Sequence, residues 1–280
     1  MEVDYKLDKT VKMFNDNFEQ VLTDLPNLTF LDYEEEDVAV QTNTLEVKGR
    51  DGVLVGSNTF GPFKLILNFV YEGVDTEDYH LFKQRMRGLL FRREPFYITH
   101  SDMPGKKYAV YCESHTIEDV YDRNGKFEVS FNVYKGYSES LKNTLDVNFL
   151  SDNWQFEGGL ISDKDIKYKH NSKRFEIWNG SFDTIDPLTH KLKIRISANA
   201  PNGFKMTNHM TGQTIIYYGS LQSYQTLTFV GVHPVIGSER VGANTNHEWI
   251  ELLPGFNNIE IDGVGVTNVS AEFEFDFIYR

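Results

Sequence analysis

Few of the residues able to do chemistry stand at a spacing that would let them do it. His100-Ser101-Asp102 sets an imidazole beside a carboxylate, the parts of a general base or of half a metal site. Pro104-Gly105 next to it marks a turn, where such side chains are ordinarily solvated. Glu34-Glu35-Glu36-Asp37 offers carboxylates to a cation, but metal loops space their oxygens with intervening residues and a glycine, so the run reads as a solvated acidic loop. Asp183 and Asp186 invite comparison with a glycosidase couple, yet Asp186-Pro187 reads as a turn, and closeness in sequence cannot set the carboxyl separation. Gly105-Lys106-Lys107 lacks both the upstream glycine and the following Ser or Thr of a phosphate loop, and Gly263-Val264-Gly265 lacks the third glycine of a dinucleotide fingerprint. No Gly-x-Ser-x-Gly elbow and no His-Glu-x-x-His occurs, and the eight histidines are scattered. The lone Cys112 excludes an internal disulfide and a cysteine-rich zinc site. The expectation is a chain with no catalytic, metal or cofactor residues, and not an enzyme.

Binding is the chemistry left open. Aromatic faces exposed on a β-sandwich stack on sugar rings through the apolar C–H surface. Of the three tryptophans, Trp154, Trp178 and Trp249, the last two sit in alternating runs. Trp178 falls on the face of Glu176, opposite Phe175 and Ile177, and Trp249 on the face opposite Ile250 and Leu252. Trp178 and Trp249 are therefore candidate glycan-stacking residues, against the plainer reading of core or interface aromatics.

The elements that must carry these residues are mostly strands. Phe127, Val129, Phe131 and Val133 alternate with polar neighbours, and Asn124-Gly125 before them suits a tight hairpin turn back to residues 117–121. Leu192, Ile194 and Ile196 alternate likewise, as do Ala271, Phe273, Phe275, Phe277 and Tyr279. Two segments have helical spacing. Leu7, Val11, Phe14, Phe18, Val21, Leu22 and Leu25 form a stripe stopped by Pro26. Residues 76–91 place Tyr79, Phe82, Met86, Leu89 and Leu90 on one face behind the N-cap Asp75, with Pro95 beyond. Alternation stops at Tyr134 and restarts near Trp154. The chain is thus expected to be mainly β: an α+β domain over residues 1–140 with one main helix, then a β-sandwich over residues 150–280.

Charge limits the partners. Twenty-eight Lys and Arg against 41 Asp and Glu give a net charge of −13, spread over both halves. Phosphate and anionic lipid both need clustered cations, so neither sequence-specific nucleic-acid binding nor a membrane surface is expected. The first residues are too charged for a signal peptide, and the most apolar stretch, residues 63–71, is too short to span a bilayer, which suits a protein made in a reducing compartment. Aromatic residues make up 14% of the chain, a share that suits β-structure and protein interfaces.

Two blocks of sequence resemble the distal tail proteins of long, non-contractile-tailed phages that infect Gram-positive bacteria. Val47-Lys48-Gly49-Arg50-Asp51-Gly52 is similar to the family's Gly-Arg-Asp-Gly turn. The capped helix, the Tyr108–Glu113 strand and the hairpin ending in Phe127–Phe131 follow in the family's order. Phe175–Gly180 with Pro187 resembles the opening of its C-terminal domain, and Leu253–Ile261 with the last Phe-rich strand resembles its end. The likeness covers about residues 45–138 and 175–280, while residues 1–44, with the helix expected at Leu7–Leu25, depart from the strand-like opening usual in the family. It implies a structural, virion protein of the tail tip, made in the host cytoplasm. Six copies would close a ring through their N-terminal domains around the DNA channel. The C-terminal domains, galectin-like sandwiches, would project outward to carry receptor-binding or other baseplate proteins. Further partners would be the tail tube protein and a tail-associated tip protein. A closed ring joins two different surfaces of each subunit. Strands near 47–55 and 63–71, taken as sheet edges, make Val47, Val53, Val55, Phe63, Leu65 and Leu67 the candidate ring interface. The competing reading is a carbohydrate-binding β-sandwich that recognises cell-wall glycans of the host.

Overall fold

A computed structural model describes residues 9–121, 124–146 and 166–280. The chain divides into two compact units, one running to Glu139 and joined by Arg280, the other spanning Ser140–Tyr279.

The N-terminal unit contains β1 (Val11–Asn15), β2 (Phe18–Val21), β3 (Leu28–Glu35), β4 (Val40–Glu46), β5 (Val53–Phe60), β6 (Phe63–Glu72), α1 (Thr76–Leu90), β7 (Phe96–His100), β8 (Lys106–Tyr121) and β9 (Asn124–Val133). Its sheet runs β2-β1-β7-β8-β9-β6-β3, and β4 and β5 form a separate two-stranded hairpin. The single α-helix among the described residues starts where the sequence requires. The Asp75 side chain accepts a hydrogen bond from the Asp78 N–H, and Glu77 and Asp78 lie in the first turn, where negative charge meets the positive helix end. Tyr79, Phe82, Met86 and Leu90 are buried against the sheet. Phe82 stacks on Tyr71 of β6 with ring centroids 3.8 Å apart and meets Phe127 of β9 edge-on at 5.3 Å. Tyr79 lies so close over Gly125 that a β-carbon there would collide with its ring.

Three expectations are corrected here. Of the helix expected over residues 7–25, the described residues 9–25 form none: β1 and β2 make a hairpin, with a short 3-10 turn at Leu22–Asp24. The Asn15 side-chain oxygen accepts from the N–H groups of Asn17 (2.8 Å) and Phe18 (3.2 Å), which turns the chain back before a helical turn can close. Val11 and Met13 then alternate into the core. The described part of this region is therefore strand-like. Asn124-Gly125 is not the turn either; it opens β9, with Gly125 opposite both Tyr71 and Asp119, and residues 122–123 lie outside the described residues. Third, β6 is no edge. It pairs with β3 on one side and β9 on the other, which buries Phe63, Leu65 and Leu67 in the core.

The division between the units falls within β10 (Ser138–Ser140). The second unit comprises β11 (Lys169–His170), β12 (Arg174–Asn179), β13 (Leu192–Asn199), β14 (Phe204–Asn208), β15 (Thr214–Tyr217), β16 (Leu227–Val230), β17 (His233–Ile236), β18 (Glu239–Arg240), β19 (Gly255–Asp262), β20 (Thr267–Phe275) and β21 (Ile278–Tyr279). One sheet runs β11-β20-β13-β16-β17-β18, the other β12-β19-β14-β15. Their inner faces meet in the core, where Phe175 of β12 lies edge-on to Phe273 of β20 at 5.9 Å. Buried amides pin the loops between them. Asn257 donates to the Leu253 carbonyl (2.7 Å), and its oxygen accepts from the Leu253 N–H (2.9 Å) and from the fully buried Asn208 amide (3.0 Å). Sequence periodicity gives no sign of this network, because a buried asparagine looks like any turn residue until its partners are known.

Candidate assembly surface

The β4–β5 hairpin is the least covered element of the N-terminal unit. Every residue of both strands is exposed. The strands pair from Val40 opposite Phe60 to Glu46 opposite Val53. They are joined by a turn in which Gly49 (φ 84°) and Gly52 (φ 78°) adopt left-handed conformations that residues with a β-carbon resist, and the Arg50 N–H closes on the Val47 carbonyl at 3.1 Å. Val40, Leu45, Val47, Val53, Leu54, Val55 and Phe60 are all exposed, Leu45 at 63% and Val55 at 68%. A two-stranded hairpin is marginal in water by itself, and so many exposed apolar side chains on one ribbon make it the candidate contact surface. Val47, Val53 and Val55 of the expected interface are brought together here; Phe63, Leu65 and Leu67 are not. Leu45 and Leu54 directly face each other across the ribbon and escaped the sequence reading, since Thr42-Asn43-Thr44 beside Leu45 hides any apolar pattern.

The other candidates separate under the same test. His100 is no solvated turn residue. It ends β7 at 2% exposure, among the rings of Phe30, Tyr33 and Tyr108, and neither ring nitrogen has a hydrogen-bond partner. Burial, partly offset by the charge of Asp102 and reinforced by Lys106 and Lys9, lowers its pKa from 6.5 to about 4. Asp102 pairs instead with Lys9 at 2.8 Å. Glu34, Glu35, Glu36 and Asp37 are exposed, but Glu34 and Glu35 end β3 rather than lying in a loop, and Glu35 accepts a hydrogen bond from the buried Tyr108 hydroxyl at 2.9 Å. Cys112 is half-buried, and burial followed by the charge of Glu113 pushes its thiol up to about 11, which suppresses the thiolate. The Asp186 side chain accepts from the Leu188 N–H and forms the turn anticipated at Pro187.

The two tryptophans part company as well. Trp178 is buried, its indole packed over Gly180 and edge-on to Phe277 at 5.5 Å, so little of its ring is exposed even though it lines a cleft of about 500 Å³ with His170, Phe175 and Phe256. Trp178 still pairs with Phe256 within the sheet, and Phe277 covers its face of the strand. Trp249 is only partly buried and lines a cleft of about 250 Å³. Trp154 lies outside the described residues. Among the described residues, no group of three or more His, Cys, Asp or Glu side chains could hold a metal ion, and no helix is long and apolar enough to cross a membrane.

Comparison with known proteins bears on the whole chain. Residues 11–133 match the family described as the phage tail protein RIFT-related domain. Among proteins of curated function none matches the sequence. The crystal structure of the Dit protein of phage SPP1, described as a paradigm of the hub adsorption apparatus in phages infecting Gram-positive bacteria, shares 14% identity over 95% of this chain and 99% of its own, with a TM-score of 0.68. A chain of the phage P2 baseplate in its calcium-activated conformation shares 10% identity over 96% and 98%, with a TM-score of 0.44. The resemblance drawn from the sequence is thus borne out: residues 11–133 match a phage tail protein domain family, and the chain shares the fold of the SPP1 Dit hub protein.

Proposed function

We propose that this chain is a structural subunit of a phage tail tip that assembles into a closed ring, six-fold by its resemblance to the distal tail proteins. Residues 1–140 form the ring that joins the tail tube to the baseplate. Residues 150–280, a galectin-like sandwich, project from it and carry receptor-binding or other baseplate proteins. The observation that carries this reading is the exposed apolar β4–β5 hairpin, which a neighbouring subunit would cover. Net charge adds support: subunits at −13 around a channel repel phosphate and let DNA pass. The same charge opposes assembly, so rings gain from salt until screening saturates, at a Debye length of ~8–10 Å.

The test is native mass spectrometry of the full chain beside the double variant Leu45→Glu, Val55→Glu. Wild type should appear as a closed oligomer and the variant as a monomer with an unchanged far-ultraviolet circular dichroism spectrum, because both positions are exposed in the monomer, and its melting temperature should fall only by what the ring contacts contribute. A wild-type chain that stays monomeric at high concentration, with and without salt, would overturn the ring.

A further inference from the structure

We propose that the C-terminal unit binds an uncharged saccharide in the cleft walled by Phe229, Pro234 and Trp249 and rimmed by His233, His247 and Glu248. The proposal holds or fails independently of ring formation. The cleft measures about 250 Å³ and is open to solvent, a concave site with apolar walls and a few polar groups at its lip. The Nε1 of Trp249 is buried and has no partner among the described residues, so the indole turns carbon atoms to the cleft. Carbon against carbon is the contact that a sugar's C–H face makes, and ring hydroxyls can exchange hydrogen bonds with the imidazoles and the Glu248 carboxylate at the lip.

Charge selects the class of ligand. From Met206 to Ser238 the chain has no Asp, Glu, Lys or Arg, although a quarter of all its residues are charged. This run supplies Phe229, His233 and Pro234 to the cleft, and it also exposes Tyr218 (61%) and Tyr224 (85%). The Tyr218 N–H donates to the Asn244 carbonyl at 2.8 Å, which ties the backbone at Tyr218 to the segment that carries Gly242 and Thr245 of the cleft. The lining of the cleft holds no lysine or arginine, although Arg240 lies opposite Val235 on the next strand, so the site has little to neutralise a phosphate polymer and much to hydrogen-bond a neutral one. A small concavity suits a sugar ring better than a flat protein footprint, which needs ~800 Å² per partner.

Backbone strain marks the same place. His247 sits at φ 58°, a left-handed conformation costly for a residue with a β-carbon, and its N–H is held by the Thr245 hydroxyl at 3.3 Å. The strain sets an imidazole at the lip of the cleft, where glycine would be conformationally easier.

The test uses the full chain. Saturation-transfer NMR is run with D-glucose, D-galactose, L-rhamnose and N-acetyl-D-glucosamine, and with poly(glycerol phosphate) as the anionic probe. At least one neutral sugar should receive saturation, and titration of it should change tryptophan emission. Two variants keep the fold: His247→Gly, which relaxes the backbone, and Tyr218→Ala, at an exposed ring. Each should weaken binding about three- to tenfold, the worth of one hydrogen bond or stacking contact, with the melting temperature of Tyr218→Ala unchanged. Silence from all four sugars, binding equal to wild type in both variants, or binding of poly(glycerol phosphate) alone would overturn the proposal. So would Tyr218→Glu and Tyr224→Glu variants that changed the oligomeric state, since the face would then be a protein contact.

Discussion

Acidification should weaken the N-terminal unit through His100, and the size of the effect follows from its surroundings. The imidazole is enclosed by Phe30, Tyr33 and Tyr108, with Tyr33 centred 4.3 Å away. Burial holds the charged form off until about pH 4, whereas an exposed histidine takes its proton near 6.5. Between those values the unfolded chain binds more protons than the folded one, so stability falls as pH falls from about 6.5 to about 4. Below about 4 both states are protonated and this contribution levels off. At about 1.36 kcal/mol per tenfold change in proton affinity, the loss comes to roughly 3 kcal/mol. The measurement is urea unfolding from pH 7.5 to 3.5, followed by far-ultraviolet circular dichroism. Tryptophan emission would miss it, because all three tryptophans lie beyond residue 150. The variant His100→Phe keeps an aromatic ring and removes the titrating group. Wild type minus variant should therefore trace the loss, and the variant should be at least as stable at neutral pH, since a buried N–H without a partner disappears with the imidazole. A difference that is flat with pH, or an NMR titration of His100 centred near 6.5, would refute the argument.

Two further substitutions probe the packing. Phe82→Ala removes a ring stacked on Tyr71 and edge-on to Phe127, and should cost ~3–5 kcal/mol in urea unfolding of the N-terminal unit; a loss under about 1 kcal/mol would mean that α1 does not seat there. Asn257→Ala strands the Leu253 N–H and one hydrogen of the buried Asn208 amide, whose other hydrogen stays on the Glu251 carbonyl, and should cost roughly 3 kcal/mol, read from tryptophan emission of the C-terminal unit, with an unshifted midpoint counting against the network.

Local chemistry determined what the sequence could show by itself. Helix α1 was legible because its cap, its apolar stripe and its stop all lie within one short segment, and each acts on its neighbours. The alternation of β9, β13 and β20 was legible for the same reason, since a strand's two faces are written two residues apart. The absence of catalytic spacing was equally a property of the sequence alone. What only the tertiary structure decided were matters of partnership. Alternation in residues 63–71 says that one face is buried, but whether β6 lies at an edge depends on β3 and β9, and they made Phe63, Leu65 and Leu67 core. A stripe at three- and four-residue intervals over residues 7–25 fits a helix as well as two short strands, and the Asn15 side chain chose the hairpin. His100-Ser101-Asp102 carried every mark of a solvated turn until three rings from other strands closed over the imidazole. Trp178 and Trp249 read alike along the chain. One was covered by Phe277 and the other left beside a cleft, because burial is set by residues distant in sequence that the fold brings near.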